Sequence, residues 1–405
     1  MRPVTIGADA FKGGTQAQQL GFQLSAAVEY LSSMTEAGFD AEESARGLSF
    51  EFSVGSEYFS EIARLRAARL LWNRVLTAFQ VEDFDRARMS IRARTSRWNM
   101  TVYDPMVNVL RATTEAMSAA IGGCDSITIL PHEWPYKEPE DASIRLARNL
   151  QLVLRDEAYL GRVSDPARGS YYVETLTDAI AKAAWSILQR VEAHGGYAKA
   201  IGDGSIESEL GATALKERAD LASRRRVLIG TNQYPNATEH AIDRLIDYQP
   251  LRLADRFEHM RLRTERHAKK TGVTPAVQLV KLGDLKMREA RANFAQNFLG
   301  CAGFQIRSQS FDSAESAADL ISSTDTQAAV LCSGDGEYAA IVDAIFPALR
   351  ECGWQGPVIV AGYPKESIEA LESAGVAGFI HLRSPLLDTL SELQDRLGIE
   401  SLGVD

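Results

Sequence analysis

Apolar residues recur along this chain in two rhythms. Leu20, Leu24, Ala27, Val28 and Leu31 fall at three- and four-residue spacing and predict a helix over Ala17–Ser33, with Thr15 as its N-cap behind the Gly13-Gly14 loop. Leu48–Val54 (LSFEFSV) alternates apolar and polar positions and predicts a strand ended by Gly55, and Val4–Ala8 reads as the end of an earlier one. Glu57–Phe79 returns to helical spacing, with Ile62, Leu65, Leu70, Leu71 and Val75 inward and Arg64, Arg66 and Arg69 outward. The alternation continues through a strand at Ser90–Thr95, a helix at Asp104–Ile121, a strand at Asp125–Leu130, helices at Ser143–Arg155 and Leu176–Ala193, and a fifth strand at Val227–Thr231.

Strands alternating with helices predict a parallel sheet covered by helices. The helix-rich insert before the fifth strand favours part of a (β/α)8 TIM barrel, which closes with eight strands in about 250 residues. Five strands leave a sheet edge open, so a fragment is expected, or an edge covered by something else. Residues 247–274 turn charged and predict a linker helix lying on a surface. A second domain over 275–405 repeats strand and helix five times, with strands at Val277–Leu282, Gln305–Ser308, Ala328–Leu331, Val358–Ala361 and Gly378–His381. Its helices are expected at Met287–Phe298, Ser313–Ser322, Tyr338–Glu351, Ser367–Ser373 and Leu386–Leu397. That is a flavodoxin-like, doubly wound pattern, with a ligand crevice expected near Leu282–Lys286, Cys332–Asp335 and Ala361–Tyr363. The barrel domain is assigned to residues 1–246.

Composition narrows the function. The chain has 405 residues, is 45% hydrophobic and 24% charged, and carries a formal net charge of -10, which argues against general affinity for nucleic acid or anionic membranes. Arg224–Arg226 is read as the solvated start of the fifth strand. Cys124, Cys301, Cys332 and Cys352 form no CxxC pair and read as buried small apolar residues in a reducing compartment. With no leader pattern and no apolar run approaching about 18 residues, a soluble, cytoplasmic protein is expected. His194, His240, His259, His267 and His381 share no ligand spacing, Trp72, Trp98 and Trp185 read as core, and Gly161-Arg162 and Gly334-Asp335-Gly336 as turns.

Five stretches then carry a resemblance. Leu65–Trp72 (LRAARLLW), Thr95–Pro105 (TSRWNMTVYDP), the run from Glu115 through Gly122, Gly123 and Ser126, Ile144–Glu157 (IRLARNLQLVLRDE) and Asp165–Asp178 (DPARGSYYVETLTD) resemble, in order, the adenosylcobalamin-dependent acyl-CoA mutases, above all the methylmalonyl-CoA mutase family. The resemblance covers nearly the whole chain. It implies the carboxyl half of a substrate-binding TIM barrel followed by a cobalamin-binding-type domain, further strands contributed by an amino-terminal part, and a place in propionate metabolism.

It also implies where chemistry would sit. Catalytic members hold cobalt through the histidine of an Asp-x-His-x-x-Gly loop; the matching loop reads Asp284-x-Lys286-x-x-Glu289, and neighbouring registers present Met287 or Arg288. A second histidine polarises the thioester carbonyl, and Thr128 occupies that position, with His132 four residues on in a loop. Arg94, Thr95, Ser96, Trp98 and Ser126 fall on the substrate-barrel motifs, with Arg97 where the family has glycine. Asp284, Lys286, Ser333 and Gly362 mark a degenerate cofactor site, and Asp335 would place a carboxylate near the cofactor tail. With both histidines replaced, the chain resembles the family's small, non-catalytic subunit, implying a heterodimer whose catalytic large subunit binds the cofactor and the acyl-CoA. Two alternatives are a homomeric mutase with cobalt held by Lys286, Met287 or solvent, and a structural remnant or docking module without activity.

Overall fold

The computed structural model describes residues 4–244 and 252–400, so residues 247–251 of the expected linker lie outside the described residues. The chain is α/β, with two parallel sheets, and divides into two compact units: one runs to Met100 and resumes over Pro105–Arg218, and the other takes Thr101–Asp104 and everything from Ala219.

The first unit alternates as its apolar rhythm predicts. β1 (Val4–Ile6) leads through a 3-10 turn (Ala8–Phe11) to α1 (Gln16–Glu36) and α2 (Ala41–Arg46). Then come β2 (Leu48–Val54), α3 (Tyr58–Ala78), β3 (Ile91–Thr95), α4 (Val107–Ile121) and β4 (Ser126–Thr128). Helices α5 (Asp141–Leu152, running into a π turn at Val153–Glu157), α6 (Tyr171–His194), α7 (Tyr197–Gly202) and α8 (Ser205–Ala222) complete it. The strands pair in the order β1-β2-β3-β4, in the registers Val4↔Leu48, Phe50↔Ile91 and Arg92↔Ser126. Thr15 does cap α1, exchanging hydrogen bonds with Gln18 in a capping box. Helices α1, α3 and α6 bury one continuous core against the sheet, in which Trp72 meets Phe50 edge-on and donates its indole N–H to the Ala87 carbonyl at 2.9 Å.

Four expectations fail here for identifiable reasons. Arg64 was expected outward but is fully buried, because Glu61 one turn earlier pairs with it at 2.5 Å and the Ser53 carbonyl accepts from it at 2.7 Å. Leu70, expected inward, is exposed, and Arg66 is drawn in by Asp165 and Glu174. The expected strand at Asp125–Leu130 shrinks, since the Asp125 carboxylate accepts from the Ile91 amide at one end and the Thr95 hydroxyl from the Leu130 amide at the other.

Val227–Thr231 is not a strand. Asn232 accepts from the Leu228 amide at 2.8 Å and donates to the Leu221 and Arg226 carbonyls at 2.9 and 2.8 Å, using up backbone groups a sheet ladder would need. Only an isolated bridge joins Ile229 to Gln233. Arg224–Arg226 therefore starts no strand: Arg224 lies 5.2 Å over the Phe294 ring, and Arg225 pairs with Asp220.

The second unit opens with α9 (Asp255–Thr271), which was expected on a surface. Instead Phe257, Met260 and Leu262 are buried together with Glu258, Arg261 and Glu265, because its charges find partners: Glu258 pairs with Arg252 at 2.5 Å and accepts from the Val102 amide at 2.7 Å. Then follow β5 (Ala276–Lys281), α10 (Leu285–Gly300), β6 (Gln305–Ser310), α11 (Ala314–Ser323), β7 (Thr326–Cys332) and α12 (Tyr338–Glu351). The unit ends with β8 (Val358–Ala361), α13 (Ile368–Ala374), β9 (Gly378–Ile380) and α14 (Leu386–Arg396). The parallel strands stand in the order β6-β5-β7-β8-β9. Strands β5, β7 and β8 are buried almost throughout, which accounts for their near-continuous apolar runs. Cys301 and Cys332 are buried as expected, Cys124 is half-buried, and Cys352 departs from that reading by being exposed. Among the described residues, no helix is long and apolar enough to cross a membrane.

Candidate functional site

The residues singled out from the sequence fall into two places, one in each unit. In the first, four of the five substrate-barrel candidates gather at the carboxyl end of β3. Arg94 is buried, with its guanidinium 2.5 Å from Asp9 and 3.3 Å from Glu51. Arg97 donates to the other Asp9 oxygen at 3.2 Å and lies 4.2 Å over the Trp134 ring, and burial and then Arg94 hold its pKa below the usual arginine value. Ser96 donates its amide to Glu115 at 3.0 Å and accepts from the Trp98 amide at 3.1 Å, while the Trp98 indole donates to Glu217 at 2.8 Å.

Glu115 anchors this loop. It is buried on the inner face of α4, accepts from Ser96 and from Asn99 Nδ2 at 2.7 Å, and is pushed up to about 8 chiefly by burial. Sequence reasoning missed Glu115 as well as Asp9 and Glu51. A signal for Glu115 did exist: it is the one charged residue on a buried stripe of small and polar residues, Asn108, Ala112, Ala116, Ser118 and Ala119.

Ser126 and Thr128 stand apart from that cluster. Both are exposed on β4, which pairs with β3 on one side only. Thr128 sits opposite Arg94 in register, and among the described residues its hydroxyl has no hydrogen-bond partner. His132 stays in the following loop, where its carbonyl accepts from Asn108 and its Nδ1 is buried without a partner.

In the second unit, Asp284, Ser333 and Gly362 converge on the carboxyl ends of β5, β7 and β8. Asp284 N-caps α10, accepting from the Met287 amide at 2.9 Å. Lys286 is exposed in the first turn of that helix, whereas Ser333 and Gly362 are buried. The space between the strand ends is filled from α12. The Glu337 carboxylate accepts from the Ser333 hydroxyl at 2.6 Å, the Gly334 amide at 2.9 Å and the Asp284 amide at 3.2 Å, and these bonds, the Ser333 one foremost, hold its pKa below the ordinary glutamate value. Tyr338, fully buried, donates to the Ala361 carbonyl at 2.6 Å and accepts from the Ser333 amide at 3.0 Å. Gly283 has φ +72, and a Cβ there would collide with Glu337 and come within 2.6 Å of the Ser333 hydroxyl. Asp335, on the loop after β7, is paired with Arg291 at 2.8 Å. Among the described residues, no group of three or more His, Cys, Asp or Glu could hold a metal ion.

Comparison with known proteins sets these positions in a family. The model of the methylmalonyl-CoA mutase family matches residues 2–289. The methylmalonyl-CoA mutase small subunit of Porphyromonas gingivalis is 40% identical over 400 residues, covering 94% of this chain and 63% of its own length. The small subunit of Streptomyces virginiae is 33% identical, covering 98% of this chain and 65% of its own length. A protein from Mycobacterium bovis named as a probable small subunit is 34% identical over the same shares. The chain thus spans a little under two thirds of the length of these relatives. With a family match over most of its residues and similarity of this order along nearly all of this chain, the chain belongs to the methylmalonyl-CoA mutase family.

Proposed function

We propose that this chain acts as the small, non-catalytic subunit of an adenosylcobalamin-dependent methylmalonyl-CoA mutase. In this reading it supports interconversion of methylmalonyl-CoA and succinyl-CoA only together with a catalytic large subunit, which holds both cofactor and acyl-CoA. The first unit is part of the carboxyl half of a (β/α)8 barrel. The second is flavodoxin-like, a reading supported by its strand order, in which the first strand lies between the second and third.

The observation that carries the proposal is that Tyr338 and Glu337 take up the space between the ends of β5, β7 and β8. The residues present do not fit cobalamin: Tyr338 and Glu337 occupy the space between the strand ends, and the loop that would approach cobalt offers an exposed ammonium. Thr128 points the same way, since a hydroxyl on an open strand edge replaces the imidazole of catalytic members. Arg94, Thr95, Ser96 and Trp98, each engaged within the protein, are read as the scaffold of the loop after β3, and Ser126 as an edge residue left to a neighbour.

The experiment is turnover. The protein is incubated with adenosylcobalamin and methylmalonyl-CoA, alone and with a catalytic subunit, while visible absorption reports bound cofactor. Cofactor binding and turnover are expected only with the partner; turnover by this chain alone would overturn the proposal.

A further inference from the structure

Part of the crevice expected at the strand ends nevertheless stays open. A cleft of about 570 Å³ opens over the carboxyl ends of β7, β8 and β9, lined by Arg291 of α10, Asp335 after β7, Tyr363 and Lys365 after β8, and His381 and Arg383 after β9. Its volume falls in the range of small-molecule sites. It lies beside the space filled by Tyr338 and Glu337, neither of which lines it.

The charges in it are unbalanced. Three permanent cations face one carboxylate, and Asp335 is already engaged with Arg291 Nη2 at 2.8 Å. Arg291 Nε is buried without a partner, and among the described residues the side chains of Lys365 and Arg383 have no ion pair. In a chain of net charge -10, a concave surface with uncompensated guanidinium and ammonium groups from three separate elements attracts an anion with several oxygens.

His381 adds a fourth donor. Its Nδ1 accepts from the Arg383 amide at 3.2 Å, which leaves the ring proton on Nε2. Burial, with Arg383 and Arg291 nearby, holds its pKa below the ordinary value, so at neutral pH it donates as a neutral ring.

The walls supply the other half of the site. Tyr363 is 44% exposed with its ring 4.6 Å from that of His381, and Leu382 is 78% exposed on the rim. An accessible aromatic face beside convergent donors suits a flat ring joined to a phosphate chain. We propose that this cleft binds an organic phosphate carrying a planar ring, of the purine nucleotide class. A free nucleotide and the phosphoadenosine end of coenzyme A share that chemistry.

The test is calorimetric titration of the whole protein with ADP, coenzyme A, inorganic pyrophosphate and adenosine. Saturable one-to-one binding of ADP is expected, with pyrophosphate about tenfold weaker for want of ring stacking and adenosine weaker still. Coenzyme A binding more tightly than ADP assigns the site to the cofactor's nucleotide end; the reverse order assigns it to free nucleotide. R383Q and K365Q, both at exposed positions, should each weaken ADP by about three- to tenfold, and ADP should raise the pKa of His381 followed by proton NMR. No saturable binding at about 1 mM ADP, the weak end of the affinity scale, would overturn the proposal. So would binding that neither variant weakens, or a His381 titration unmoved by ADP.

Discussion

Replacing Glu115 by glutamine should make the protein less sensitive to alkali. The carboxyl is fully buried, and its pKa rises from an ordinary 4.5 to about 8, mainly through burial, with Glu61 nearby adding to the rise and the bonds from Asn99 and Ser96 opposing it. A folded pKa above the unfolded one means that the folded state binds the proton more tightly. The stabilisation is therefore complete below about pH 4.5 and is lost as pH climbs through 8. Each pH unit inside that window removes up to about 1.4 kcal/mol, so the whole effect is at most a few kcal/mol.

Glutamine keeps the shape and carries no charge. Its single side-chain oxygen can still accept from the Ser96 amide. Asn99 Oδ1, buried without a partner while Nδ2 faces Glu115, becomes available to the new amide once Asn99 turns over. Urea unfolding from pH 5 to 8.5 checks this. The unsubstituted protein should lose midpoint steadily across that interval while E115Q stays comparatively flat, the two being close at pH 5. Parallel pH profiles would refute the reasoning, because they would mean that Glu115 reaches water when ionised.

Removing one member of the Glu61–Arg64 pair should be costly. R64M strands a buried carboxylate and is expected to destabilise by about 3–5 kcal/mol, whereas the E61Q/R64M double variant should recover much of that loss in urea unfolding. G283A should lower the melting temperature, since it combines a left-handed backbone with collisions at Glu337 and Ser333; adding E337A should restore the part due to the first collision and leave the Ser333 contact and about 1 kcal/mol of backbone strain. K286H should not bring cobalamin into the second unit, because Tyr338 and Glu337 still occupy the space between the strand ends. Cobalamin that stays with that variant through gel filtration would show that the missing imidazole alone had kept the cofactor out.

The legible parts of the fold were those whose cause is local. Val358–Ala361 and Tyr338–Glu351 match the observed elements end to end, because a buried parallel strand writes an unbroken apolar run and an amphipathic helix a 3.6-residue stripe. What could not be read depended on which polar groups pair with one another, which the apolar pattern does not carry. Arg64 looks like a solvent residue until Glu61 and the Ser53 carbonyl are seen around it. The stretch over α9 looks like an exposed linker because its buried acids and bases are charged, and their partners explain why they are inside: Arg252 and the Val102 amide for Glu258, the Asn236 and Glu239 carbonyls for Arg261, and the Ala241 amide for Glu265. At Val227–Thr231 the composition favours a strand, yet one asparagine side chain claims the backbone first. The candidate sites followed the same division. Asp284, Ser333 and Gly362 were placed together by motif, whereas Glu337 and Tyr338, which fill the space among them, sit on a helix whose register alone gave no reason to choose them.

Glu337 has a further consequence for how the second unit moves. By accepting from the Asp284 amide, the Ser333 hydroxyl and the Gly334 amide, one carboxylate fastens the loop after β5 to the loop after β7. Neither loop can lift without breaking bonds that hold the other. Their fluctuations are therefore a single opening event, and the amides of Asp284 and Gly334, separated by about fifty residues of chain, should exchange their hydrogens with solvent at a common rate.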